Sequence, residues 1–107
     1  MPIYNPSAGG GGGGAGSFTG NVAAKTSAYV ATTSDDVLLC SGTFTVTLYA
    51  TSGNSGELLF IKITGTGVIT ISGDSAGETI DGNVSAFLTT QNSSVEVVTD
   101  GADWFIL

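Results

Sequence analysis

The sequence has no histidine, the side chain that most often serves as a general base or as a zinc ligand in proteins. A Ser-His-Asp triad and zinc sites built from cysteine and histidine are therefore excluded. Lys25 and Lys62 are the only basic residues, and neither stands in a pattern typical of a catalytic lysine. We therefore predict that the chain is not an enzyme and that it requires no cofactor.

Positive charge is scarce, whereas negative charge is not. Two lysines stand against nine aspartates and glutamates, which gives a formal net charge of -7 at pH 7. Phosphate backbones and anionic lipids repel a surface of this sign, so we expect no nucleic-acid partner and no membrane partner. No apolar stretch approaches the roughly 20 residues that span a bilayer, and residues 1–6 lack the pattern of a signal peptide. We expect synthesis and folding in a cytoplasm.

Cysteine is also scarce, and the single Cys40 excludes an internal disulfide bond. Its neighbours Leu38 and Leu39 are apolar, and a free cysteine in such surroundings is more often a buried small hydrophobe than a reactive thiol. The sequence therefore predicts that Cys40 is a core residue.

The chain has the composition of a folded protein. Charged residues make up 10% of it and hydrophobic residues 41%, with a mean hydropathy of +0.35. Disordered chains combine low hydrophobicity with high charge density, and that combination is absent. A length of 107 residues suits one domain with a tail.

Glycine is abundant, and six of the 17 glycines follow one another directly. Such a run does not hold a helix or a strand, because each glycine loses more backbone entropy on ordering than any other residue. A phosphate-binding loop would need a lysine after the run, but Ala15, Gly16 and Ser17 follow it. We therefore divide the chain into an extended glycine-rich arm, residues 1–16, and a β domain, residues 17–107.

The β domain repeats its apolar residues with a period of two. Phe44, Val46 and Leu48 would share one face of a strand, with threonines on the other. Residues 58–63 are apolar on both faces up to Lys62, which is typical of a covered central strand. Residues 68–71 follow a Thr-Gly-Thr-Gly turn, a spacing that predicts a hairpin. Further strands are expected at residues 28–32, 37–40, 86–89, 94–99 and 104–107.

No window has the pattern of an amphipathic helix, and turn residues separate the predicted strands at short intervals. Short strands with turns between them favour an antiparallel arrangement. The predicted fold is all-β, a small antiparallel β-sandwich or barrel that carries the glycine-rich arm at its N terminus.

Carboxylates cluster in the predicted turns, at Asp35 and Asp36, at residues 74–81, and at Asp100 and Asp103. Carboxylate oxygens in loops bind hard cations, but aspartate in a turn more often caps backbone N–H groups. None of the clusters has the spacing of an EF-hand or of a calcium-binding nonapeptide repeat. We predict that these residues cap turns and that there is no metal site.

Sheet edges in this chain have few charges to protect them from pairing with other chains. Association with copies of itself would cover both the edges and the large apolar fraction. Residues 104–107 are apolar on both faces and need cover from the core of the same chain or from a neighbouring subunit. The predicted oligomer interface consists of Trp104, Phe105 and Leu107.

The β domain also carries a resemblance to a known family in seven short segments: residues 33–40, 42–48, 61–67, 78–82, 91, 94–95 and 100–104. Together these segments resemble a small β domain that recurs in structural proteins of tailed bacteriophages, over roughly residues 26–107. The family occurs in capsid-decorating, head-fibre and tail-fibre proteins, generally as trimers. The resemblance therefore implies a homotrimeric structural protein of a virion.

The arm favours one member of this group, a capsid decoration or cement protein on the outside of the head. The chain has no room for the long shaft of a tail fibre, whereas an arm of 16 residues reaches roughly 50 Å when extended. Ile3 and Tyr4 offer apolar contacts, two prolines limit the entropy of the free arm, and glycines allow close approach to a partner. The residues predicted to anchor to the major capsid protein are Pro2, Ile3, Tyr4, Pro6, Gly9, Gly10, Gly11, Gly12, Gly13 and Gly14.

This interpretation places the protein in the virion, on the capsid surface, after assembly in the host cytoplasm. The alternative is a tail-fibre or head-fibre module that binds a host receptor or glycan through the loops at residues 52–56 and 73–77. An enzyme that acts on the host envelope is the third class, and the missing histidine argues against it.

Overall fold

The structure of the protein is a computed structural model, and it describes residues 20–75 and 77–107. The predicted arm, residues 1–16, and its anchor residues lie outside these ranges. The described residues form two β-sheets and no helix, so no helix in these ranges is long and apolar enough to cross a membrane. The strands are β1 Val22–Lys25, β2 Tyr29–Val30, β3 Val37–Cys40, β4 Phe44–Thr47, β5 Leu58–Ile63, β6 Ile69–Ser72, β7 Ser85–Leu88, β8 Ser94–Thr99 and β9 Trp104–Ile106.

The chain passes back and forth between the two sheets through its first six strands. β1, β3 and β5 lie side by side and parallel in a five-stranded sheet with the order β1-β3-β5-β8-β9. β2, β4 and β6 do the same in a four-stranded sheet with the order β2-β4-β6-β7. The first part of the domain is therefore a coil of three turns, each contributing one strand to each sheet, as in solenoid folds.

The last three strands complete the sheets in the antiparallel sense. β7 pairs with β6, β8 pairs with β5, and β9 pairs with β8. The all-β class and the two-sheet arrangement agree with the prediction, but the antiparallel topology was wrong, because both sheets are mixed. Alternation of apolar residues shows which side chains share a face, and it is the same for parallel and antiparallel neighbours.

The predicted hairpin between residues 58–63 and 68–71 was also wrong. β5 and β6 belong to different sheets, and the segment between them turns the chain from one sheet to the other. This corner stacks on the preceding one: the Gly42 N–H donates to the Thr66 carbonyl at 3.2 Å, and the Val68 N–H donates to Thr43 Oγ1 at 3.1 Å. Successive corners therefore extend the parallel ladder beyond the strands.

The inward faces of the two sheets share one core. Leu38 and Ile61 from the five-stranded sheet are fully buried, and so are Val46 and Ile71 from the four-stranded sheet. Cys40 belongs to the same cluster and is 0% exposed, which confirms its prediction as a buried residue.

The C-terminal strand closes this core with an aromatic pair. Trp104 is 0% exposed and packs edge-to-face against Tyr49, with 5.1 Å between the ring centroids. Aromatic pairs with this geometry stabilise by about 0.5–1.5 kcal/mol beyond the area that they bury. The Trp104 backbone N–H donates to the Thr79 carbonyl at 2.8 Å, so the loop before β7 is fastened to the same strand.

The corner at Gly67 yields a prediction about stability. Its φ is +117°, and a Cβ added there would lie against the Gly42 carbonyl oxygen. We expect Gly67→Ala to lower the free energy of unfolding by roughly 2–5 kcal/mol, from backbone strain together with overpacking. Urea denaturation measures this loss.

Gly53→Ala is the matched control, because Gly53 has a φ of +79° but open space around its Cβ position. We expect a loss of about 1 kcal/mol there, from backbone strain alone. Equal losses at both positions would contradict the stacked corners.

Burial of Cys40 yields a prediction about reactivity. Burial raises the pKa of its thiol from 9.0 to about 11, partly opposed by Lys25, so almost no thiolate is present at pH 8. We expect alkylation by iodoacetamide at pH 8 to be slow in the native protein and fast in denaturant, as followed by mass spectrometry. Equal rates in the two conditions would contradict the burial.

Candidate interaction surfaces

The outward side of the five-stranded sheet carries a broad set of apolar side chains, which we name the apolar face. Adjacent strands are in register, so that Val22, Val37 and Phe60 form one row across β1, β3 and β5. Val22 is 62% exposed at one edge of the face, and Phe105 is 40% exposed at the other. The apolar face consists of Val22, Val37, Leu39, Leu58, Phe60, Val98 and Phe105, and those between the edges are half-buried.

Two opposite charges lie within this apolar face. Lys62 is opposite Ser94, and Glu96 is opposite Phe60, which makes Lys62 and Glu96 diagonal neighbours on β5 and β8. Lys62 Nζ donates to the Asn92 carbonyl at 3.2 Å. Glu96 Oε2 is shielded from solvent and has no hydrogen-bond partner among the described residues. A shielded carboxylate oxygen without a donor is unfavourable, and rotation of the Glu96 side chain toward a cation on the face would relieve that cost.

The outward side of the four-stranded sheet has a different chemistry, and we name it the hydroxyl face. Its rows are Thr45, Thr70 and Phe87, and Thr47, Ser72 and Ser85. These five hydroxyls make no hydrogen bond to another described residue. Phe87 is 60% exposed and Val30 is 61% exposed, so the hydroxyls lie between two apolar side chains.

The loops that follow β4, β6 and β8 meet at one end of the domain. Glu78 holds two of them together, because its Oε2 accepts the Thr51 N–H at 3.3 Å and the Thr51 hydroxyl at 3.1 Å. Its Oε1 accepts the Asp74 N–H at 3.2 Å. A depression of about 320 Å³ lies beside these contacts, lined by described residues of the 72–79 segment and by Val84. Both loops predicted to contact a glycan therefore lie near this end.

Two further carboxylates of this end, those of Asp100 and Asp103, accept hydrogen bonds from backbone groups. Asp103 Oδ1 accepts the Thr79 N–H at 2.8 Å and the Thr79 hydroxyl at 3.0 Å. Asp100 Oδ1 accepts the N–H groups of Ala102 and Asp103, both at 2.9 Å. Hydrogen bonds from the Asp103 and Ala102 backbones lower the pKa of Asp100. The predicted role as a turn cap is confirmed for Asp100, whereas Asp103 accepts from Thr79 of another loop and joins the two loops.

Within residues 20–75 and 77–107, no group of three or more cysteine, aspartate and glutamate side chains is placed to hold a metal ion. Glu78, Asp100 and Asp103 already accept hydrogen bonds from described residues of the loops at this end. Their geometry matches loop capping.

A further charged group lies at the first turn of the coil. The Tyr29 hydroxyl donates to Asp35 Oδ2 at 2.7 Å, and the Thr32 N–H donates to the same oxygen at 2.8 Å. The hydrogen bond to Asp35 raises the pKa of Tyr29. Lys25 Nζ lies 3.7 Å from the centre of the Tyr29 ring, a cation–π contact. Lys25 is therefore already engaged within its own chain.

The predicted oligomer interface is divided by the structure. Trp104 is buried in the core, so its cover comes from its own chain. Phe105 and Leu107 are 40% and 67% exposed and lie at the edge of the apolar face, where a partner can contact them. The pair Lys62 and Glu96 was missed, because its members are 34 positions apart in sequence and only the β5–β8 register places them together.

Comparison of the chain with protein-family models, with curated proteins and with solved structures finds no match. The phage resemblance therefore stays a prediction from the sequence.

The caps of the loop end yield a prediction about stability. Asp103→Ala removes the acceptor of both Thr79 donors, and we expect a loss of about 1–3 kcal/mol in the free energy of unfolding. Asp103→Asn keeps an acceptor oxygen and is expected to lose less. Both are measured by urea denaturation.

Asp74→Ala is the control, because its exposed carboxylate accepts no hydrogen bond from another described residue. A change within about 0.5 kcal/mol is expected. A similar loss for Asp74→Ala and Asp103→Ala would contradict the capping role.

Proposed function

We propose that the chain is a non-enzymatic structural protein of a virion, which acts through surface contacts with other proteins. The observation that carries the proposal is the apolar face, a sheet surface with Val22 and Phe105 exposed at its two edges. Exposed apolar surface of this extent is typical of interaction sites. The core beneath it is closely packed, so the face is a rigid platform.

The more specific proposal is a capsid decoration protein. The arm at residues 1–16 anchors to the major capsid protein, and the β domain forms a homotrimer on the outside of the head. Several arms from one oligomer raise the strength of attachment through effective concentration, even when each binds weakly. The phage resemblance of the β domain and the composition of the arm support this proposal.

The second candidate is a fibre module that binds a host-surface glycan. The hydroxyl face favours it, because neutral hydroxyls beside the exposed Phe87 ring suit a sugar with hydroxyl groups on its rim and C–H groups on its face. The depression beside Glu78 lies next to Ser72 of this face. Adsorption of the purified domain to host cells separates this candidate from the decoration protein, which requires no saccharide.

Removal of residues 1–16 tests the decoration proposal. We expect the truncated chain to keep the circular dichroism and the unfolding midpoint of the full chain, but to lose cosedimentation with heads that lack the protein. The reason is that the anchor contacts belong to the arm, whereas the described core begins after it.

The double variant Ile3→Ala, Tyr4→Ala keeps the length and the glycines of the arm. We expect it to bind heads at least about 10-fold more weakly, which corresponds to about 1.4 kcal/mol. A truncated chain that binds as tightly as the full chain would contradict the anchor.

A further inference from the structure

We infer that the apolar face is the surface through which copies of this chain join, with Lys62 of one copy paired to Glu96 of the next. This inference rests on the self-associating part of the proposed function and assigns its contact residues. It commits to one partner, a second copy of the same chain.

The first support is the unpaired carboxylate. Glu96 Oε2 is shielded and lacks a donor within the described residues, while its neighbours Phe60 and Val98 offer none from their side chains. Within one copy, Lys62 Nζ donates to the Asn92 carbonyl and not to Glu96 Oε2, although the two side chains are diagonal neighbours. Lys62 Nζ has three donors, and the Asn92 carbonyl accepts one of them.

The second support is charge complementarity. The apolar face carries one lysine and one glutamate side by side, so a copy of this face is complementary to it. If a two-fold axis relates two copies, the pair of Lys62 and Glu96 forms twice. In a closed ring, Lys62 of each copy pairs with Glu96 of the next copy. The other lysine of the chain, Lys25, lies over the Tyr29 ring.

The third support is the apolar surround of the pair. Leu39 and Phe60 flank Lys62 on β3 and β5, Val98 flanks Glu96 on β8, and Phe105 on β9 lies opposite Val98. A charge pair inside such a surround loses water when copies join, which strengthens the attraction between correct partners and penalises a wrong one. The hydroxyl face has no charged side chain in its rows and cannot choose its partner in this way.

Charge reversal tests the inference on the full-length chain, by sedimentation velocity from about 1 to 100 µM. We expect the wild-type chain to self-associate and Lys62→Glu or Glu96→Lys to raise the dissociation constant about 10–100-fold, because each places like charges together. The double variant Lys62→Glu, Glu96→Lys restores a pair of opposite charges, with the signs at positions 62 and 96 exchanged. We expect its dissociation constant to lie within about threefold of the wild-type value.

Two matched pairs of substitutions locate the contact. Val22 on the apolar face and Val30 on the hydroxyl face are 62% and 61% exposed, so Val22→Glu and Val30→Glu add the same charge at equally open sites. We expect Val22→Glu to weaken association at least about 10-fold and Val30→Glu to change it less than threefold. Phe105→Ala on the apolar face and Phe87→Ala on the hydroxyl face form the second pair. We expect Phe105→Ala to weaken association at least about 10-fold and Phe87→Ala to change it less than threefold.

Three results would overturn the inference: a wild-type chain that is monomeric at 100 µM, reversals that leave association unchanged, and a double variant no better than either single one. A monomeric wild type would also be the result if residues 1–19 cover the apolar face within one copy. Because the arm is intact in every variant, cosedimentation with heads still tests the anchor, so failure of the inference and failure of the capsid proposal are separate outcomes.

Discussion

Parallel stacking of successive turns of the coil is the constraint on which the rest of the structure depends. It places Leu38, Ile61 and their neighbours inward from one sheet, and Val46 and Ile71 inward from the other, around one core. Stacking leaves no space between the corners at Gly42 and Gly67, where one backbone lies on the other. The two outward faces follow from this stacking. Every second side chain of a strand points to the same face, and the register between strands aligns these side chains in rows.

The sequence was a good guide to where strands lie and a poor guide to which strands pair. β3, β5 and β8 begin and end at the predicted residues, because each is a short run rich in apolar residues that is bounded by turn residues. β1 was missed because its sequence, Val-Ala-Ala-Lys, has only one β-branched residue and no clear alternation of apolar and polar residues. Parallel pairing was missed because corner segments such as residues 64–68 contain the same glycine and threonine residues as a hairpin.

The candidate surfaces were predictable in part. The capping role of Asp100 follows from general turn chemistry, whereas the contact of Asp103 with Thr79 of another loop does not. The apolar face was not predictable, because alternation identifies Val37, Phe60 and Phe105 as outward only after register joins their strands. Trp104 shows a second limit of the sequence. An apolar C-terminal strand must be covered, but the sequence does not say whether the core of the same chain or another subunit covers it. In the structure, the core of the same chain covers Trp104.

We propose that the protein lies on the outside of a phage head, where the arm of residues 1–16 attaches it and the outward faces of the β domain contact other proteins. The direct measurement is the position of the chain in intact particles, with a tag after Leu107, which is 67% exposed, and gold-labelled virions imaged by electron microscopy. The account predicts label distributed over the head. Label confined to the tail would contradict the decoration proposal in favour of a fibre module, and particles without label would contradict any role in the virion.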